Sequence, residues 1–132
     1  MKKTSIALVV LTATLLSMLA GKASAVSISE TTATTSASSP TGIARASDGS
    51  VWFTQQAASK IGRLNPATGA MNGEFSTDTP NAGPSGIVAT SSGFLWFTEE
   101  NVDRIGRIDS SGNVAEFGAG VITSGSRPNA IT

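Results

Sequence analysis

The chain writes one passage twice. Pro40, Pro84 and Pro128 are spaced by 44 residues. Gly42/Gly86, Ile43/Ile87, Trp52/Trp96, Phe53/Phe97, Thr54/Thr98, Ile61/Ile105, Gly62/Gly106 and Arg63/Arg107 keep the same offset. A unit that recurs in a row and cannot cover its own apolar faces must be covered by its neighbours, so the repeat limits the fold to stacked architectures. Late in the unit the copies slip by two residues, Glu74-Phe75 aligning with Glu116-Phe117, and the next loop restores the register. Insertions of that kind belong in turns.

Each unit reads as four short strands. In the first, "PTGIARAS", "VWFT", "KIGRL" and "NGEF" are β-branched or aromatic runs bounded by Gly, Asn, Asp and Pro. Such runs are strand signals, and Asp48-Gly49 between the first two is a strong hairpin signal. The second unit repeats the plan with Ser92-Gly93 and Gly112-Asn113 at its turns. No segment after residue 25 carries a helical period. Four strands in 44 residues predict an all-β chain of β-propeller blades, each a four-stranded antiparallel sheet. An irregular β-sandwich made by duplication is the alternative. The propeller is preferred because Trp-Phe-Thr in strand two of each copy suits sheets packed face to face around a ring. Residues 40–83 are then one blade, 84–127 a second, and 128–132 the truncated start of a further one. That is about two blades of an incomplete propeller, since a closed ring takes about four to eight. Residues 26–39 read either as a Ser/Thr-rich linker or as an orphan outer strand of the closing blade, because "VSISET" falls one period before "AMNGEF".

The first 25 residues have a different character. Lys2 and Lys3 precede an apolar run from Ile6 to Ala20, and Ala23-Ser24-Ala25 offers the small-x-small pattern of a signal-peptidase site. The expectation is a signal peptide over 1–25, and hence an exported periplasmic or extracellular product with no membrane span after cleavage. A membrane anchor is the competing reading, but the run falls short of the roughly 20 apolar residues that a span needs. Cleavage would remove Lys2, Lys3 and Lys22 and leave six cations against nine acids, a net charge of −3. A mildly acidic chain argues against a nucleic-acid partner. With no Cys the chain has no disulfides, so packing must stabilise it.

The patterns P-x-G-I-A, D-G-x-V-W-F-T and K-I-G-R-L, with their second copies P-S-G-I-V, L-W-F-T-E-E-N, R-I-G-R-I and G-N-V-A-E-F, resemble the blades of the virginiamycin B lyase family, also called streptogramin B lyases. The resemblance spans Pro40 to Phe117. It implies a seven-bladed propeller and a magnesium-dependent elimination that opens cyclic depsipeptide antibiotics at an ester. Magnesium and a cyclic peptide ligand are implied by the resemblance alone. The family's chemistry depends on histidine, and this chain has none, so the resemblance supplies no catalytic residue.

Without His or Cys the chain can form neither a Ser-His-Asp triad nor a usual zinc site. Carboxylates are the remaining candidates. Strands that alternate in direction put the loops after strands two and four on one face of the ring, where a ligand could lie over the channel. Gln55, Glu99, Glu100 and Asn101 are the candidate ligand-binding residues, and Glu99-Glu100-Asn101 offers oxygen ligands suited to a hard cation or polar ligand. Adjacent acids in an exposed loop are more often simply solvated. Trp52, Phe53, Trp96 and Phe97 read as structural, the tryptophans as inter-blade core. Gly62 and Gly106 read as points of close backbone approach or bulges. Arg63 and Arg107 read as surface or inter-blade ion pairs rather than substrate clamps. A protein partner, or self-association that completes the ring, is also open. If the 132 residues are the entire product, exposed blade faces predict aggregation.

Overall fold

The computed structural model describes residues 30, 35–118 and 122–132. The expected signal peptide lies outside the described residues; of the expected linker or orphan strand over 26–39, Glu30 and residues 35–39 are described, and none of them is in a strand. Among the described residues no helix is long and apolar enough to cross a membrane.

Eight strands follow one another: β1 Pro40–Arg45, β2 Val51–Gln55, β3 Lys60–Leu64, β4 Met71–Ser76, β5 Pro84–Ala89, β6 Leu95–Glu99, β7 Arg104–Ile108 and β8 Val114–Phe117. They form two antiparallel sheets with the orders β1-β2-β3-β4 and β5-β6-β7-β8. The register repeats with the sequence: Phe53 lies opposite Gly62 and Phe97 opposite Gly106, while Trp52 lies opposite Arg63 and Trp96 opposite Arg107. The Asp48-Gly49 turn forms as its residues require. Asp48 Oδ1 accepts the Ser50 N–H at 2.9 Å, and Gly49 takes φ +87°, where an L side chain would be strained. Sequence patterning does not reveal the 3₁₀ turn Gln56–Ala58 between β2 and β3.

Alternation along each strand gives every blade two unlike faces. Ala44, Trp52, Thr54, Ile61, Arg63 and Phe75 share the face of the first blade that meets the second. Ile87, Ala89, Leu95, Phe97, Glu99, Arg104, Ile108, Val114 and Glu116 share the face of the second blade that meets the first. The buried core is the seam between them: Trp52 and Ile61 from one side, and Ile87, Leu95, Phe97 and Ile108 from the other. The outward faces show the same residue types uncovered. Phe53 and Trp96 are half-buried where Phe97 and Trp52 are buried. Ile43 is 73% exposed whereas its repeat-mate Ile87 is 7% exposed.

Two expectations change on inspection. Gly62 and Gly106 sit under cross-strand phenylalanine rings, Phe53 and Phe97 respectively, and a Cβ at either position would run into the ring. The demand is therefore a ring lying across the strand, not a backbone approach or a bulge. Gly106→Ala is expected to destabilise the chain by about 1–3 kcal/mol, the usual cost of overpacking, as urea denaturation would measure. The second change concerns Arg63, which makes no ion pair among the described residues. Its guanidinium lies 5.1 Å from the Trp52 ring centre and 5.6 Å from that of Phe75, and Nη1 donates across the seam to the Ser110 carbonyl at 2.7 Å. Arg107 lies likewise over Phe94, Trp96 and Phe117. A weakly hydrated planar cation covers aromatic rings better than an ammonium would.

Candidate functional site

The loops after β2 and β4 do gather on one face, held by a repeated set of main-chain bonds. Gln56 N–H donates to the Ser39 carbonyl and Ala57 N–H to that of Ser38. One period on, Glu100 N–H donates to the Gly83 carbonyl and Asn101 N–H to that of Ala82. The connectors match in conformation too. Ala37 and Asn81 have positive φ, as do Ser39, Gly83 and Arg127.

The structure separates the four candidate ligand-binding residues. Gln55 and Glu99 end their strands on the same face as Phe53 and Phe97, and both are fully buried at 0% exposure. They are not loop residues open to a ligand. Glu100 turns outward, where Gln56 Nε2 donates to its Oε2 at 3.1 Å and Arg127 Nη2 pairs with its Oε1 at 2.8 Å. Asn101 packs its side chain against Gly83 and donates from Nδ2 to the Asn81 carbonyl at 3.2 Å. Glu99, Glu100 and Asn101 therefore do not converge. Among the described residues no group of three or more acids could hold a metal ion. A hard cation, one of the two ligand types considered for this loop, finds no group of three acids there among the described residues.

What the face does contain is a carboxylate cap, present in each blade. In the first, Glu74 Oε1 accepts the Thr35 N–H at 3.1 Å and Oε2 the Thr35 hydroxyl at 2.9 Å. Gln55 Nε2 donates to Glu74 Oε1 at 2.8 Å, and Lys60 Nζ stands 3.7 Å from Oε2. In the second, Glu116 Oε1 accepts the Thr79 N–H at 2.8 Å, and Oε2 accepts the Thr79 hydroxyl at 2.5 Å and Arg104 Nη1 at 3.0 Å. Each cap ties the connector entering a blade to that blade's two outer strands. Burial works to raise the Glu116 pKa, but the Thr79 bonds, Glu99 and Arg104 outweigh it and hold the carboxyl below its usual range. Glu99 goes the other way: burial first, then the neighbouring Glu116 charge, push its carboxyl up to about 8.

Residue types alone do not disclose these caps, because Thr35, Gln55, Lys60 and Glu74 are scattered along the sequence. The usable signal is the parity of β2 and β6, which puts positions 55 and 99 on the phenylalanine face of each blade, two residues beyond Phe53 and Phe97. At the other end of the first blade, Arg45, Asp48, Ser50, Asn65 and Asn72 border an open groove of about 400 Å³.

The sequence profile of the Virginiamycin B lyase family matches residues 11–132. Virginiamycin B lyase from Staphylococcus aureus superposes with a TM-score of 0.73 at 36% identity, covering 79% of this chain and 34% of that one. A catalytically inactive histidine-to-alanine variant of that enzyme, solved with quinupristin, gives the same TM-score, identity and coverage. A streptogramin B lyase matches with a TM-score of 0.72 at 34% identity over the same shares. The chain thus spans about a third of the length of these solved relatives. No curated protein matches the chain.

Proposed function

The chain belongs to the virginiamycin B lyase family, and from that premise we propose that it is the N-terminal portion of an exported lyase-like propeller whose chemistry is supplied by residues this chain does not contain. The single observation that carries the second half of the proposal is the histidine count, which is zero, set beside a relative made inactive by loss of one histidine. An elimination needs a base at the acidic carbon and an electrophile at the carbonyl oxygen. The buried Glu99 cannot reach a substrate, and Glu100 is tied to Gln56 and Arg127. Among the described residues no three acidic side chains gather as they would around a metal ion.

Two blades with open outer faces suit a role as part of a ring. Cleavage after Ala25 would deliver the chain outside the cytoplasm. Purified chain, given a streptogramin B depsipeptide and magnesium, is expected to leave the ester closed, as chromatography with mass detection would show. Ring opening by this chain would overturn the assignment of the chemistry elsewhere.

The missing histidine also favours a second reading, a non-catalytic extracytoplasmic propeller that binds a ligand, peptide or protein partner. Calorimetry with quinupristin separates the two: heat of binding without turnover by any longer form of the protein would favour the binding role.

A further inference from the structure

We propose that Glu99 and Glu116 share one proton in the folded chain, Glu99 carrying it as a neutral carboxylic acid that donates to the Glu116 carboxylate, which gives the second blade a pH-sensitive latch where the first has a permanent one. The repeat itself supplies the argument. Gln55 and Glu99 occupy the same place at the ends of β2 and β6, and Glu74 and Glu116 the same place on β4 and β8, opposite Gly62 and Gly106. Thr35 and Thr79 donate to those carboxylates in the same way. In the first blade the Gln55 amide donates to Glu74 at 2.8 Å. In the second, the residue that replaces the amide has no donor unless it is protonated, because an ionised carboxyl only accepts.

As an ion Glu99 would be badly placed. It is fully buried, and among the described residues no group donates a hydrogen bond to either of its oxygens. A buried charge left that way is among the costliest arrangements in a protein. The groups facing it are Glu116 from β8 and Arg104 from β7, with Asp78 of the β4–β5 loop also contributing. Arg104 already pairs with Glu116 at 3.0 Å, so the one cation that acts on Glu99 among the described residues is engaged. Two carboxyl groups that share a site and a single cation hold one proton between them. Protonated Glu99 can make to Glu116 the donation that the Gln55 amide makes to Glu74 in the first blade.

The sign of the pH dependence follows. A carboxyl whose folded pKa is raised to about 8 stabilises the fold fully below the unfolded value of 4.5, and that contribution is lost as pH rises through about 8. The composition makes the effect readable. The chain has no His, Cys or Tyr, so apart from the terminal amine no ordinary group titrates between about pH 6 and 9.

The test is thermal unfolding of the intact chain across that window, beside Glu99→Gln. The parent midpoint is expected to fall by about 10 °C between about pH 6 and 9, and that of E99Q by less than a third as much. Infrared difference spectra at neutral pH should show a protonated-carboxyl stretch in the parent that is missing from E99Q, a readout that needs no change in stability. Parallel midpoint profiles for parent and E99Q, or no such band in the parent at neutral pH, would overturn the proposal. So would a profile that shifts with added divalent cation or chelator, because the pair would then be held by an ion rather than a proton.

Discussion

Trp52→Ala is expected to cost the chain about 3–5 kcal/mol of unfolding free energy, the range for removing a fully buried large aromatic. Trp96→Ala, the same change one repeat later, should cost about 1–2 kcal/mol, in keeping with a ring that buries only part of its apolar surface. The difference comes from surroundings alone. Trp52 is 1% exposed, stacks on Phe75 with ring centres 5.5 Å apart, and donates from Nε1 to the Ser50 hydroxyl at 2.9 Å. The β7–β8 turn of the second blade closes over it, since a Cβ at Gly112 would strike the Phe75 ring. Trp96 has the equivalent partner, Phe117, at 5.5 Å, but Phe117 is itself 36% exposed and nothing comparable among the described residues closes over the pair. Urea denaturation of both variants measures the contrast. Equal losses would mean that the seam between the blades is not where the stability resides.

That contrast also marks where sequence reasoning stops. The strands were legible because Asp48-Gly49, the prolines and the Trp-Phe-Thr runs act locally, through turn geometry and alternation. Which member of each Trp-Phe pair is buried is not local. It depends on whether a sheet lies on that side, and a repeat presents identical letters to an occupied face and to an empty one. Glu99 shows the same limit in the candidate site. Read as part of "TEEN", it belongs to an acidic loop. Read by strand parity, it follows Phe97 onto the packed face, and only the outward Glu100 reaches the surface. Arg63 was misread for a related reason: its partners, Trp52, Phe75 and the Ser110 carbonyl, come from three separate parts of the chain and include no acid.

Glu116→Ala should be as damaging as the loss of Trp52, by a different route. The Glu116 side chain is 3% exposed and pairs with Arg104, and it accepts both the N–H and the hydroxyl of Thr79. Removing one member of a buried, hydrogen-bonded ion pair costs about 3–5 kcal/mol, much of it the price of polar groups left without partners. Arg104 is 41% exposed and can turn to water, which places the expected loss at the lower end, about 3 kcal/mol. The Thr79 N–H loses its acceptor, and the β4–β5 connector that it anchors should loosen, exposing its amides to faster hydrogen exchange. The pH dependence gives an internal check. Because the folded Glu116 pKa lies below its ordinary value of 4.5, its contribution is fully present above that value and is lost as pH falls through the folded one. The gap in stability between parent and Glu116→Ala should therefore close in acid, whereas the gap between parent and Trp52→Ala should not. A loss that stays constant from neutral pH into acid would show that the side chain acts through packing alone, and that the carboxylate cap does not hold the connector to the blade.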